Sequence, residues 1–172
     1  MVKELREKTG AGIMDCRNAL LEVKGNMGKA IEFLRQRGLA QAEKMSKRTA
    51  SQGVIGAYVH HGGRIGAMIE VNCETDFVAR TEEFRELAHY LAMQVAALSP
   101  KFISREEVPP EADIDPQESC LFQQPFIKEP DKTVQEIVAE AIGKVGENIR
   151  VSRFVRFGLG DQEGEGDAQG QI

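Results

Sequence analysis

The 172-residue sequence has no tryptophan, only two tyrosines and only three cysteines, Cys16, Cys73 and Cys120, which stand far apart with no CxxC pairing. That spacing offers neither a disulfide framework nor a zinc site. No stretch approaches the roughly 18 continuous apolar residues of a membrane helix. The opening MVKELREKTG also lacks the apolar centre of a signal peptide, so a cytoplasmic location is expected and no membrane association. No GK[ST] or GxGxxG follows a strand, which argues against direct nucleotide binding by this chain. No internal repeat is evident, and no cofactor is called for.

What is present is ordinary for a water-soluble globular protein: 41% apolar and 28% charged residues. The net charge of −5 hides a split. Residues 1–50 hold eleven Lys/Arg against six Asp/Glu, and the remainder holds eleven against twenty-one. A basic head could touch RNA, but an acidic body of twice that charge would be repelled by an extended phosphate backbone, so nucleic acid is not expected as a partner.

Periodicity divides the chain. Residues 1–38 read as a three-helix head: Ile13, Cys16, Ala19, Leu20 and Val23 recur near helical spacing after GAG, and Met27, Ala30, Ile31 and Leu34 follow at i, i+3, i+4 and i+7. Asn26 suits an N-cap and Gly38 a C-terminal stop. Residues 39–52 are expected to form a charged helical linker. The period then changes to two in GVIGAYVHH and RIGAMIEVN around a Gly62-Gly63 turn, a hairpin in which Ile65, Ala67, Ile69 and Val71 share one face. Phe84, Leu87, Ala88, Leu91, Ala92, Val95 and Leu98 mark an amphipathic helix ending before Pro100. A second helix from Val134 to Val145 opens on a Thr133-to-Glu136 capping box. NIRVSRFVRF closes a three-stranded antiparallel sheet and changes phase near Ser152–Phe154, where a bulge is expected. The fold class is therefore α+β, with a core domain over residues 53–158. Residues 104–131, rich in Pro and acid, read mostly as loop, and residues 159–172 as a disordered acidic tail.

Few of these residues suggest covalent chemistry. His60 and His61, adjacent on the expected strand, point to opposite faces and cannot chelate one metal. Cys73 reads as a buried structural thiol rather than a nucleophile. Glu74 and Asp76 lack the convergent partners of an acid/base pair. TDFVAR, residues 75–80, sits at a strand-to-helix corner. Either Phe77 plugs the base of the helix beginning near Thr81 while Asp76 caps a turn, or the pair forms a contact element, an aromatic of large area and little rotamer entropy beside one steering charge.

LREKTGAGIMDCRNAL, VIGAYVHHGGRIGAMIEVNCETDFVAR, QPFIK and IGKVGENIRVSRFVRF closely resemble the bacterial elongation factor Ts family over residues 2 to about 158. The resemblance implies a ubiquitin-associated-like head, a linker, and a core of antiparallel sheet with helices. It implies a non-enzymatic guanine-nucleotide exchange factor whose partner is the GTPase domain of elongation factor Tu. By motif match, Asp76 and Phe77 of the Thr75-Asp76-Phe77-Val78 segment insert near that partner's magnesium and phosphate site. Leu5, Ile13 and Met14 correspond to the positions by which the head docks on a helix of the GTPase domain, the alternative being that Leu5 and one of the other two are core. His61 resembles an interface histidine of the family. Short-form relatives with one core subdomain pair two chains, so a homodimer is expected; yet the helical segment they insert before QPF is missing here. The rival readings are a small RNA-binding protein using the basic head, and a ubiquitin-associated-type adaptor in which only the head functions.

Overall fold

A computed structural model describes residues 1–161. The expected disordered tail, apart from its first three residues, lies outside the described residues. Two of those three make contacts with the body: Leu159 donates its N–H to Arg64 O at 2.8 Å, and Asp161 pairs with Arg156 at 2.9 Å.

Three helices open the chain, α1 (Val2–Thr9), α2 (Ile13–Glu22) and α3 (Met27–Met45). Gly10 ends α1 in the left-handed region, φ 66°, where its N–H reaches Arg6 O. Asn26 caps α3 through Lys29 N at 3.0 Å, as its side chain suggests. Leu5, Cys16, Ala19, Leu20 and Ala30 form a small closed core.

Gly38 does not stop the third helix, which runs unbroken for 19 residues to Met45. One exposed glycine costs a helix only about 1 kcal/mol relative to alanine. Here that is offset by packing, since Ala42 and Met45 in the second half of α3 lie against the main core. The helix therefore belongs to head and body at once. Arg35 on α3 pairs with Glu136, whose other oxygen accepts the Thr133 N–H.

The body is built on β1 (Gln52–Val59) and β2 (Ile65–Cys73), followed by a single turn, α4 (Asp76–Ala79), and by α5 (Glu82–Leu98). Beyond a 3₁₀ turn at Arg105–Glu107 come α6 (Pro116–Ser119), a second 3₁₀ turn at Leu121–Gln123, and the short ladder β3 (Pro125–Phe126) with β4 (Glu129–Thr133). The chain ends with α7 (Val134–Val145), opened by the Thr133/Glu136 capping box, and β5 (Arg150–Gly158). The main sheet has the order β1-β2-β5, antiparallel throughout. Ala67, Ile69, Val71 and Cys73 face inward beneath α5, whose Phe84, Leu91 and Val95 complete the core. The helix lies so close that a Cβ on Gly56 would meet Ala88 O at 2.5 Å, so glycine is required there. The bulge falls where the phase change places it: Glu70 pairs with Arg153 and Val71 with Val151, leaving Ser152 unpaired.

Two expectations need correction. His60 and His61 are not on a strand; β1 ends at Val59, and both lie exposed in the turn closed by His60 N to Ile65 O at 2.8 Å. The 104–131 segment also contains more order than its composition suggests, because a buried amide from α5 organises it. Gln94 donates to Gln124 Oε1 at 3.2 Å and to Pro125 O at 3.0 Å, and accepts from Ile127 N at 2.9 Å. Gln124 in turn donates to Glu118 O at 2.8 Å. Buried groups deprived of such partners cost about 1–3 kcal/mol each. Gln94→Leu is therefore expected to destabilise the fold by about 3 kcal/mol, read as a lower midpoint in urea denaturation with an unchanged slope.

Candidate partner-binding site

The strand-to-helix corner is shaped by two threonine caps in succession. Thr75, extended at φ −122°, accepts Val78 N with its hydroxyl and starts α4. Thr81 accepts Phe84 N, starts α5, and also donates to Val78 O at 2.8 Å. A turn bounded in this way has little freedom to extend or unwind. Ala79 is buried beneath it and Val78 is packed against the core. With those two residues turned inward, Phe77 is left 79% exposed. It does not plug the base of α5; Phe84 does that from within the core.

Asp76 lies half-exposed beside Phe77, 2.7 Å from Arg80 one turn later. Exposed pairs of this kind are worth about 0–1 kcal/mol, so the carboxylate can readily exchange its partner. Cys73 is buried immediately behind, donating its Sγ–H to Thr75 O at 3.1 Å. Burial, then the nearby Glu147 carboxylate, push its pKa up, which suits a structural thiol.

The residue that sequence reasoning missed is Glu147, in the connection between α7 and β5. Its Oε2 accepts the N–H of Glu74 at 3.1 Å and of Thr75 at 3.0 Å, and its Oε1 accepts the Thr75 hydroxyl at 2.6 Å. Glu74 returns the contact by accepting the Asn148 N–H at 2.7 Å. The buried Asn148 amide then donates to Arg48 O at 2.7 Å, and so reaches the segment just after α3. The signal lay in sheet register. Asn72 pairs with Arg150, so continuing the antiparallel count beyond the strand ends sets Glu74 opposite Asn148 and Thr75 opposite Glu147.

The other candidates lie elsewhere. Ile13 and Met14 are 55% and 59% exposed at the start of α2, an apolar pair open to solvent. Leu5 is 0% exposed and central to the head's core, so it supports that surface from behind rather than forming part of it. His61 sits at the turn end of β2 whereas Thr75 follows its far end, a separation of about 26 Å at the rise of a strand. The structure thus gathers Thr75, Asp76, Phe77 and Val78 at one corner, places Ile13 and Met14 on the head, and leaves His61 at the opposite end of β2 from that corner. Among the described residues no three His, Cys, Asp or Glu side chains converge as a metal would require, and no helix is long and apolar enough to cross a membrane.

A family model described as "Elongation factor TS" matches residues 20–115. Curated relatives named elongation factor Ts include that of Moorella thermoacetica, 50% identical across 93% of this chain and 94% of the relative. That of Carboxydothermus hydrogenoformans is 49% identical across 94% and 88%, and that of Heliobacterium modesticaldum 48% identical across 94% and 89%. With a family match over more than half its length and half its residues shared with a relative of nearly the same extent, the chain belongs to the elongation factor Ts family.

Proposed function

We propose that this protein is a guanine-nucleotide exchange factor for elongation factor Tu, acting in the cytoplasm during translation elongation. Asp76 and Phe77 enter the GTPase domain near its magnesium and phosphate site and promote GDP release. The observation that carries this reading is the outward Phe77 on a doubly capped turn: a large apolar ring held in water, beside a carboxylate paired with an exposed arginine. Membership of the elongation factor Ts family supports it.

GDP and Mg²⁺ are held by a phosphate-cradling loop and by a metal bridging phosphate and protein oxygens. A wedge that displaces the elements carrying those groups weakens both contacts together. Linkage makes the effect reciprocal, so the factor by which GDP affinity falls is the factor by which GDP expels the protein, and incoming GTP does the same. No covalent bond is made or broken, and the chain itself binds no nucleotide. The head contributes a second contact, with Ile13 and Met14 meeting a helix of the GTPase domain and Leu5 fixing the geometry beneath them.

The homodimer forms through the outer face of the sheet. Ile55, Val59, Met68 and Phe157 are exposed there, on the side opposite α5. An antiparallel sheet with one apolar face open is ready to pack against a second such face.

Three outcomes test these statements. Phe77→Ala retains the fold, since the ring is mostly in solvent, and loses most of its stimulation of labelled-GDP release from the cognate elongation factor Tu, about 30-fold for a central aromatic contact worth about 2 kcal/mol; unaltered release removes the wedge. Met14→Asp weakens association about tenfold by placing a charge in a desolvated contact, measured by calorimetry. Met68→Glu converts the dimer to a monomer in sedimentation velocity without lowering the melting temperature of the protomer by more than about 5 °C.

A further inference from the structure

We infer that Glu147 is a positioning residue for nucleotide exchange, its carboxylate setting the direction in which the Asp76–Phe77 turn projects. This rests on the exchange reading above and names the group that makes the wedge stiff. The α4 turn is only four residues long, and its hold on the interior is confined to Ala79 and the half-buried Val78. Packing alone therefore fixes it poorly about the axis from Cys73 to Thr75. Glu147 supplies the restraint at that hinge, with three donors converging on one carboxylate: the N–H groups of Glu74 and Thr75 and the Thr75 hydroxyl. Hydrogen bonds to an ionised acceptor are about twice as strong as neutral ones.

The acceptor is itself held. Gly146, at φ 73°, ends α7 and turns the chain sharply, while Asn148 and Ile149 are buried directly after Glu147. Asn148 is engaged on both sides, its N–H by Glu74 and its amide by Arg48 O and Ser46 O. The Ser152 bulge decides the match, because it shifts the β2–β5 register by one residue; without it, Asn148 rather than Glu147 would stand opposite Thr75. A catalytic constellation loses function when its elements stray by about 0.5 Å or 10–20°. A ring carried two residues beyond the hinge amplifies small rotations into displacements of that size.

Loss of the restraint should therefore reduce how well the bound factor opens the nucleotide site while leaving the head's docking surface alone. The full-length protein is titrated against the cognate elongation factor Tu loaded with labelled GDP. Glu147→Ala is expected to lower the saturating release rate about tenfold, with the half-saturating concentration within about twofold of wild type. Glu147→Gln should retain at least about half of the rate, because its carbonyl oxygen can accept both N–H groups and its amide can donate to Thr75 Oγ1. Phe77→Ala/Glu147→Ala should be no slower than Phe77→Ala alone, as expected of a residue acting through the ring.

A loss of folded fraction does something else: it raises the half-saturating concentration, leaves the saturating rate intact and appears in the circular dichroism melt. That pattern overturns the inference, as does a glutamine variant no better than alanine. Should Glu147→Ala be unfolded at the assay temperature, Glu147→Asp, which draws the carboxylate back by one methylene from its three donors and leaves the Thr75 cap of α4 untouched, must lower the saturating rate for the inference to stand. Failure of the exchange reading is distinct: Phe77→Ala then releases GDP at the wild-type rate, and both statements fall. A slow Phe77→Ala beside a normal Glu147→Ala removes the role of Glu147 only.

Discussion

A backbone N–H at the end of a strand loses its ladder partner, and at the corner after β2 that loss is made good by a side chain from across the sheet. The carboxylate of Glu147 accepts from Glu74 and Thr75, and the carboxylate of Glu74 accepts from Asn148. This reciprocal pairing continues the β2–β5 ladder for three residues beyond its last backbone pair, Asn72 with Arg150. Because those residues are 72 to 74 positions apart in sequence, the corner cannot take its shape until the sheet has closed. The most exposed aromatic side chain of the molecule thus depends on one of its longest-range contacts.

The same junction faces the head. Asn148 bonds Arg48 O, just past the end of α3, and Arg48 approaches Glu74 at 3.6 Å. Farther along, Arg35 meets the nearly buried Glu136, and Gly10 lies so near Lys144 that a Cβ there would stand 2.8 Å from its Cε. With both arginines about half exposed these ion pairs are individually weak, about 0–1 kcal/mol each, but together with the Asn148 bond and the packing of Ala42 and Met45 they link head and body through more than a flexible tether. The strongly basic first 50 residues and the acidic remainder attract one another across these contacts. Under the proposed docking of one partner at both the head and the corner, a stiff frame would raise the effective concentration of the second contact once the first has formed.

Local rules found the elements. Period-two and period-3.6 patterns located β1, β2, α5, α7 and β5, while Asn26 and the Thr133/Glu136 box marked helix starts. Even the bulge could be read, since a phase change in a strand has few other causes. Failures arose where tertiary contacts outweighed local preference: Gly38 is carried through α3 by packing against the body, and the proline-rich segment is ordered by Gln94 from another element. The histidines were misplaced by one or two residues at a strand end, where pattern is weakest. Of the corner, motif alone singled out Asp76 and Phe77, but Phe77 inside and Phe77 outside give the same local pattern. Glu147 was missed because the register signal that finds it is fragile: a one-residue error exchanges it with Asn148.

An exposed phenylalanine is a liability for a free protein, and the proposed docking through Phe77 would set a gain against it. A phenylalanine buries about 150–250 Å², and at about 25 cal/mol per Å² removing that area from water is worth about 4–6 kcal/mol. Much of that is consumed in displacing the partner's own packing and in ordering the contact. A mobile ring would consume more of it, because its rotational freedom would be lost at the moment of docking. The three bonds to Glu147 and the two threonine caps place that ordering cost in the folding of this chain. Under the proposed exchange function, what remains of the ring's burial energy would then act against the grip on the nucleotide, and by linkage nucleotide binding would return it when the protein is expelled.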